Sequence, residues 1–128
     1  MAITQAMATS FKVGILDGSF NFGSGTSQTF KIALYTSSAT MSAATTAYST
    51  SNEVSGTGYS AGGATLTVSQ VPTSTGTTAF LSFSDVTWST ATITARGALI
   101  YLANGTTNPA VAVLDFGGDR SEEHTSEL

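Results

Sequence analysis

After Gly18 the chain alternates apolar and polar residues with a period of two in short runs. In Thr29 to Tyr35, Phe30, Ile32 and Leu34 share one face and Lys31 lies on the other, the pattern of a half-buried strand. Comparable runs span Ala64 to Ser69, Thr78 to Phe83, Val86 to Trp88, Ala91 to Leu102 and Ala110 to Phe116. Turn-forming residues separate them at Gly62-Gly63, Pro72 to Gly76, Asn104-Gly105 and Gly117-Gly118, and Asn-Gly between two apolar runs is the strongest hairpin signal. The one helix-like pattern is at the start, where Ile3, Met7, Phe11 and Ile15 recur every four residues. Thr4 supplies an N-cap and Asp17-Gly18 a left-handed C-terminal stop, which predicts a helix over about 4–16. Many short strands and one small helix predict a mainly β, antiparallel β-sandwich of jelly-roll or immunoglobulin-like type, with the helix at one end. The expected core is Phe30, Ile32, Leu34, Leu66, Trp88, Leu99, Tyr101, Val111 and Val113, with Phe11 and Ile15 covering an end.

Met41 to Ser60 breaks the pattern. It is rich in Ala, Ser and Thr, holds no period, and runs into Asn52-Glu-Val-Ser-Gly-Thr-Gly-Tyr-Ser-Ala-Gly-Gly63. A connection this long in a small domain points to a functional or edge-covering role. Its clustered glycines point to positive φ or close backbone approach.

The last eight residues, Ser121-Glu-Glu-His-Thr-Ser-Glu-Leu128, change the reading of composition. They resemble a sequencing-library adapter translated in one frame, with Arg120 at the junction. The expected organisation is one domain over 1–119 and a non-native tail over 120–128, set aside from fold and function arguments. The chain carries 4 Lys plus Arg against 8 Asp plus Glu, but His124, Glu122, Glu123 and Glu127 fall in that tail. What remains is Lys12, Lys31 and Arg96 against Asp17, Glu53, Asp85, Asp115 and Asp119. So few and scattered cations do not make a phosphate-neutralising surface, which argues against a nucleic-acid partner. There is no cysteine, hence no disulfide framework and no thiolate metal site. No apolar stretch approaches membrane-spanning length, and the start lacks the pattern of a signal peptide, so the chain is expected to be made in a cytoplasm.

Without a histidine or cysteine outside the tail, nucleophile and base pairs have no members. Two carboxylates facing a cleft would suffice for a glycosidase, and Glu53 with Asp85 or Asp115 formally qualifies; spread this sparsely, such carboxylates read better as turn caps or ion-pair partners. Gly56-Thr-Gly58 and Gly62-Gly63 lack the flanking strand, helix and lysine of a phosphate loop. Asp115 and Asp119 lack the dense acidic spacing of a calcium loop. No catalytic residue, cofactor or metal is expected. Arg96, in the most apolar run, shares a face by alternation with Thr94, Ala98 and Ile100, opposite Ile93, Ala95, Leu99 and Tyr101. A charge there requires pairing with Glu53 or Asp85 and stacking on Trp88, or a subunit contact. Tyr48, Tyr59 and Tyr101 are candidates for a sugar-stacking surface, against the alternative that they pack across strands. Asn104-Gly-Thr106 has the form of a glycosylation sequon and reads as a turn.

Thr29-Phe-Lys-Ile-Ala-Leu-Tyr-Thr-Ser-Ser38, Asn52 to Gly63, Val86-Thr-Trp88, Thr94-Ala-Arg-Gly-Ala-Leu-Ile-Tyr101 and Ala110-Val-Ala-Val-Leu-Asp-Phe-Gly-Gly-Asp119, taken in order, resemble small structural proteins of tailed bacteriophages. The resemblance implies a non-enzymatic virion component: a capsid decoration, head fibre or tail protein. It implies self-assembly, with a trimer favoured by analogy, contacts with capsid or tail proteins, and a place in the virion after synthesis in the host bacterial cytoplasm. It also implies a further strand after Asp119, so an unpaired apolar edge is expected near Ala110 to Phe116, with the tail crossing it without a regular ladder. The alternative is a receptor-binding module of a phage fibre that takes a host glycan. Arg96, Glu53, Tyr59, Gly62 and Gly63 are the candidate interface or loop determinants.

Overall fold

A computed structural model describes residues 2–25, 28–89, 91–122 and 125–127; His124 lies outside them. The protein is mainly β, with antiparallel strand pairs and one short helix. In chain order the elements are β1 (Ala6–Met7), α1 (Thr9–Asp17), β2 (Phe30–Tyr35), β3 (Ala64–Leu66), β4 (Val68–Thr75), β5 (Thr78–Phe83), β6 (Thr87–Ser89), β7 (Ile93–Leu102), β8 (Ala110–Glu122) and β9 (Thr125–Glu127). A five-stranded sheet has the order β1-β8-β7-β2-β3, while β4 pairs with β5 and β6 with β9.

The long central strands β7 and β2 are buried on both faces, which gives a sandwich-like arrangement with the sheet as its middle layer. On one face Phe11, Phe30, Tyr35, Met41, Leu99, Tyr101, Val111 and Val113 pack together; on the other, Ile32, Leu34, Val54, Tyr59, Trp88, Ile93 and Ala98 do. Every expected core residue is buried except Leu66, which is half-buried between the two clusters. The Asn104-Gly105 signal falls in the β7–β8 connection, where the Asn104 side-chain oxygen accepts the N–H groups of Thr106, Thr107 and Asn108 at 2.9–3.0 Å. One side chain thereby satisfies three loop donors.

The helix is shorter than its sequence pattern. Over 4–8 the backbone instead makes tertiary hydrogen bonds: the Thr4 N–H donates to Met41, β1 pairs with Ala112 and Val113 of β8, and the Ala8 N–H donates to Val111. Sheet pairing outcompetes the first helical turn, whose nucleation is costly. Thr4 is therefore no cap; Ala8 holds that place without a side-chain bond, while Gly18 (φ 81°) closes the helix in the left-handed conformation as expected. Phe11 is buried against Phe20 and Phe22, and Phe22 stacks on Phe30 at 4.3 Å. Ile15 faces outward, contrary to its expected covering role, because the nine-residue helix turns only Phe11 and Gly14 inward.

Of two turn signals, Pro72 to Gly76 lies in a strand except for Gly76, which opens the β4–β5 turn, and Gly117-Gly118 lies in a strand entirely. Pro72 to Thr75 belongs to β4, whose ladder with β5 shifts register on either side of Gln70, a bulged position that tolerates a residue without an N–H. Gly117-Gly118 sits inside β8, where Ala95 faces Arg120 but Gly97 faces Asp115. Residues 116–119 are thus looped out against Arg96, with Gly117 at φ 78°. Beyond this bulge the chain returns to the ladder, contrary to the expectation of an irregular crossing. Among the described residues the expected open edge of β8 is covered in part, at Val111 to Val113 by β1 and Ala8 and at Asp115 by the Gln5 side chain. β8 is flanked by β7 and β1, residues 120–122 pair with 93–95, and β9 pairs with β6. The physical reason is that β7 extends past the bulge and presents free backbone groups that the re-entering chain satisfies.

Candidate functional site

The Asn52 to Gly63 stretch closes one edge of β2. β3 pairs with β2 over Phe30 to Ile32, and residues 52–54 pair with its far end, the Thr36 N–H donating to Asn52 and the Val54 N–H to Leu34. Between these pieces the ladder is interrupted by the glycine-rich loop. There the Leu34 N–H donates to the Tyr59 hydroxyl oxygen at 2.9 Å, so a phenol takes the place of a strand carbonyl. The Tyr59 O–H then donates to Glu53 Oε2 at 2.5 Å, joined by the Gly62 N–H at 2.8 Å, while the Tyr48 O–H donates to Glu53 Oε1 at 2.6 Å. The Tyr101 O–H donates to the Gly62 carbonyl at 2.6 Å and the Tyr35 O–H to the Ser49 carbonyl at 2.6 Å.

Two of the glycines are fixed by close backbone approach. Gly63 has φ 82°, and a Cβ there would run into the Ile32 carbonyl; Gly56 has φ 155° and touches the Thr92 carbonyl in the same way. Neither position admits a side chain without moving β2 or the segment before β7. Burial raises the pKa of Tyr35, Tyr48, Tyr59 and Tyr101, and the nearby Glu53 carboxylate raises all four further. Ionising a phenol here would place a second negative charge beside Glu53 in a dry setting.

Chemically this cluster is a lock. Both Glu53 oxygens accept hydrogen bonds from groups that hold the loop. Tyr48 stacks on Tyr101 at 4.7 Å and Tyr59 lies against Trp88 at 5.9 Å. Tyr59 and Tyr101 are buried and Tyr48 half-buried, so they pack across strands and do not form an open sugar-stacking surface. Tyr35 and Tyr48 belong to the lock although sequence reasoning did not group them with Glu53; the signal was a carboxylate without a nearby cation in a tyrosine-bearing, otherwise neutral stretch.

Arg96 is elsewhere. Its guanidinium pairs with Asp115, Nε to Oδ1 3.6 Å, at a half-exposed position, and not with Glu53 or Asp85; Trp88 is occupied by Tyr59. The bulge explains the difference. Ile93 and Ala95 pack with Ala98, whereas Leu99 and Tyr101 pack on the opposite face, so the alternation flips at Arg96 and Gly97. Asp115 also accepts the Gly117 N–H at 2.9 Å, which ties the ion pair to the looped-out segment. The Arg96 Nε is shielded from solvent and has no hydrogen bond of good geometry.

Among the described residues no three acidic, histidine or cysteine side chains gather where a metal ion could be held, and no helix is long and apolar enough to cross a membrane. No protein-family model, curated protein or solved structure matches the chain.

The remaining feature is the β4–β5 hairpin. It extends from the body as an arm whose strands are exposed along most of their length. It is anchored at its base, where Phe83 meets Phe22 at 6.1 Å and the Ser84 N–H donates to Thr67. Between Glu53 and Asp85 the sequence contains no charged residue, and the arm displays Val71 and Phe80 to solvent.

Proposed function

We propose that this chain is a non-enzymatic structural subunit of a tailed-bacteriophage virion, a capsid decoration, head fibre or tail component that works by binding copies of itself and capsid or tail proteins. The observation that carries the reading is the neutral, exposed β4–β5 arm beside a body in which Glu53 and Asp115 hold structural contacts. Glu53 is engaged through both oxygens by the tyrosine lock, and Asp115 through Oδ1 by Arg96 and the Gly117 N–H. An uncharged projecting ribbon with apolar side chains is suited to protein contacts. The ordered resemblance to phage structural proteins supplies the virion context, with residues 1–119 taken as the evolved domain and 120–128 as adapter-derived. The glycan alternative loses its aromatic platform, since Tyr59 and Tyr101 are buried.

Mass spectrometry of purified particles, combined with analytical ultracentrifugation of the chain, tests the proposal. The expected result is the protein in particles and an oligomer in solution. A strictly monomeric protein absent from particles overturns it.

A further inference from the structure

The two edges of the arm are built differently. β4 carries Pro72 and two register shifts, devices that keep an exposed edge from pairing further. β5, Thr78-Ala-Phe-Leu-Ser-Phe83, carries no proline, charge or bulge of its own, and among the described residues it pairs with β4 alone. A hairpin of this kind is marginal by itself and gains from a third strand.

The turn fixes which groups of β5 are free. Gly76 (φ 60°) and Thr77 form a two-residue loop in which only the first position has positive φ, the II′ pattern of a tight hairpin. Thr75 and Thr78 close it as opposed residues, followed by Ser74 with Ala79 and Thr73 with Phe80. The pair flanking such a loop is hydrogen-bonded, and the pairs then alternate. Thr78 and Phe80 therefore direct their backbone groups to β4, while Ala79 and Leu81 direct theirs outward.

We infer that β5 pairs antiparallel with β5 of a second copy, about a twofold axis at Phe80, joining two arms into a four-stranded sheet. In that register Ala79 and Leu81 of one copy meet Leu81 and Ala79 of the other, and their outward N–H and C=O groups are satisfied mutually. Phe80 meets Phe80 in a non-hydrogen-bonded pair, where side chains approach closest, and Thr78 meets Ser82 on the same face; aromatic pairs and Thr–Ser pairs are both favourable across strands. The same patch serves both partners, as a twofold contact requires. Neutrality fits this occupant: with no charge from residue 54 to 84, like strands meet without repulsion or buried unpaired charge. The contact area argues the same way. A pair of six-residue strands falls short of the roughly 1,200–2,000 Å² of a self-sufficient interface, so the contact holds where the partner is supplied at high local concentration. In an assembly of this chain that partner is the chain itself, and to this extent the inference rests on the structural-subunit reading.

The absence of native cysteine allows a clean test with the full chain. Phe80→Cys is expected to form a disulfide dimer under mild oxidation, because opposed Cβ atoms at that position lie within bonding reach. Ser82→Cys alone is expected to stay monomeric by the same assay, while a mixture of Thr78→Cys and Ser82→Cys chains gives the mixed dimer. Ala79→Pro removes an outward N–H without touching the β4 ladder. Introduced into the Phe80→Cys chain, it should cut cross-linking at least tenfold with an unchanged circular dichroism spectrum and melting curve. Cross-linking of Phe80→Cys no faster than that of Ser82→Cys, or undiminished by Ala79→Pro, overturns the inference. Particle mass spectrometry remains independent: a protein found in virions whose arms do not cross-link retains the structural role and loses this contact, and arms that cross-link in a protein absent from particles show the reverse.

Discussion

β2 and β5 are both six-residue strands, and each has one edge that no long strand covers. Along β2 the chain spends a twelve-residue stretch to close that edge, using Tyr59 as a substitute acceptor and Glu53 as the hub that holds Tyr59, Tyr48 and Gly62 in place. Along β5 nothing is spent. The difference follows from burial. β2 has four consecutive buried residues at its end, so an unpaired N–H there would be cut off from water, whereas the backbone of β5 is hydrated in the projecting arm and tolerates being open. A sheet edge is thus closed where desolvation demands it and left open where solvent can satisfy the backbone.

The largest effect that separates the two regions is expected from Leu99→Ala. Leu99 is among the most completely buried side chains and pairs with Ala33 of β2, and its truncation should cost about 2–5 kcal/mol in urea denaturation. A loss below about 0.5 kcal/mol, the range of ordinary surface changes, would mean that the body is no better packed than the arm.

Within the lock, Tyr59→Phe leaves the buried Leu34 N–H without an acceptor and removes one donor from Glu53, at an expected cost of about 1–3 kcal/mol. Tyr48→Phe, at the half-exposed side of the same carboxylate, should cost less than about 1 kcal/mol. Equal losses in the two variants would show that the phenol at the β2 edge is not special.

The alkaline limb of stability sharpens the same contrast without mutation. The four tyrosines have raised pKa values in the folded protein, so the folded state keeps phenol protons that the unfolded chain releases. Their contribution is fully present below the ordinary tyrosine value of about 10 and is lost as pH rises from there toward the folded values. The denaturation midpoint should hold steady up to about pH 9 and fall above about pH 10. A midpoint unchanged through that window, or tyrosinate absorbance rising there while the fold persists, would contradict the lock.

Much of this body was legible from period alone. Alternation marked Phe30, Ile32, Leu34, Leu99 and Tyr101 as buried but not their faces, since both strands are covered on two sides and Phe30 packs in the cluster opposite Ile32 and Leu34; Asn104-Gly105 follows from turn chemistry. Two kinds of feature were not. The start of the helix and the tail depend on long-range partners, since Thr4 finds Met41 and residues 120–122 find 93–95, and no local pattern encodes a distant ladder. Arg96 was misplaced because a bulge shifts the alternation by one residue, which moves every side chain beyond it to the other face. For the candidate site, the sequence shows Glu53, Tyr59, Gly62 and Gly63 in one glycine-rich stretch, but the hydrogen bonds of Tyr59 to Leu34 and of Gly62 to Tyr101 required the fold. The arm was hidden because Pro72 to Gly76 reads as a turn and Ala64 to Ser69 as one strand, whereas β4 starts at Val68 and runs through Pro72; the charge-free span was its trace.

The smallest effect belongs to the arm itself. Phe80→Ser removes an exposed ring from a ribbon that packs against the body only near Phe83, so the stability of the dilute protein should change by no more than about 0.5 kcal/mol. Hydrogen exchange should agree. Amides of β4 and β5 have few buried neighbours and open locally at low free-energy cost, whereas those of β2 and β7 exchange only through large-scale unfolding. At high protein concentration the outward amides of Ala79 and Leu81 should slow in the native chain and not in Phe80→Ser, because only the paired arm protects them. An arm as protected as β7 in dilute solution would mean that it is packed on the body, and the contrast between the two edges would vanish.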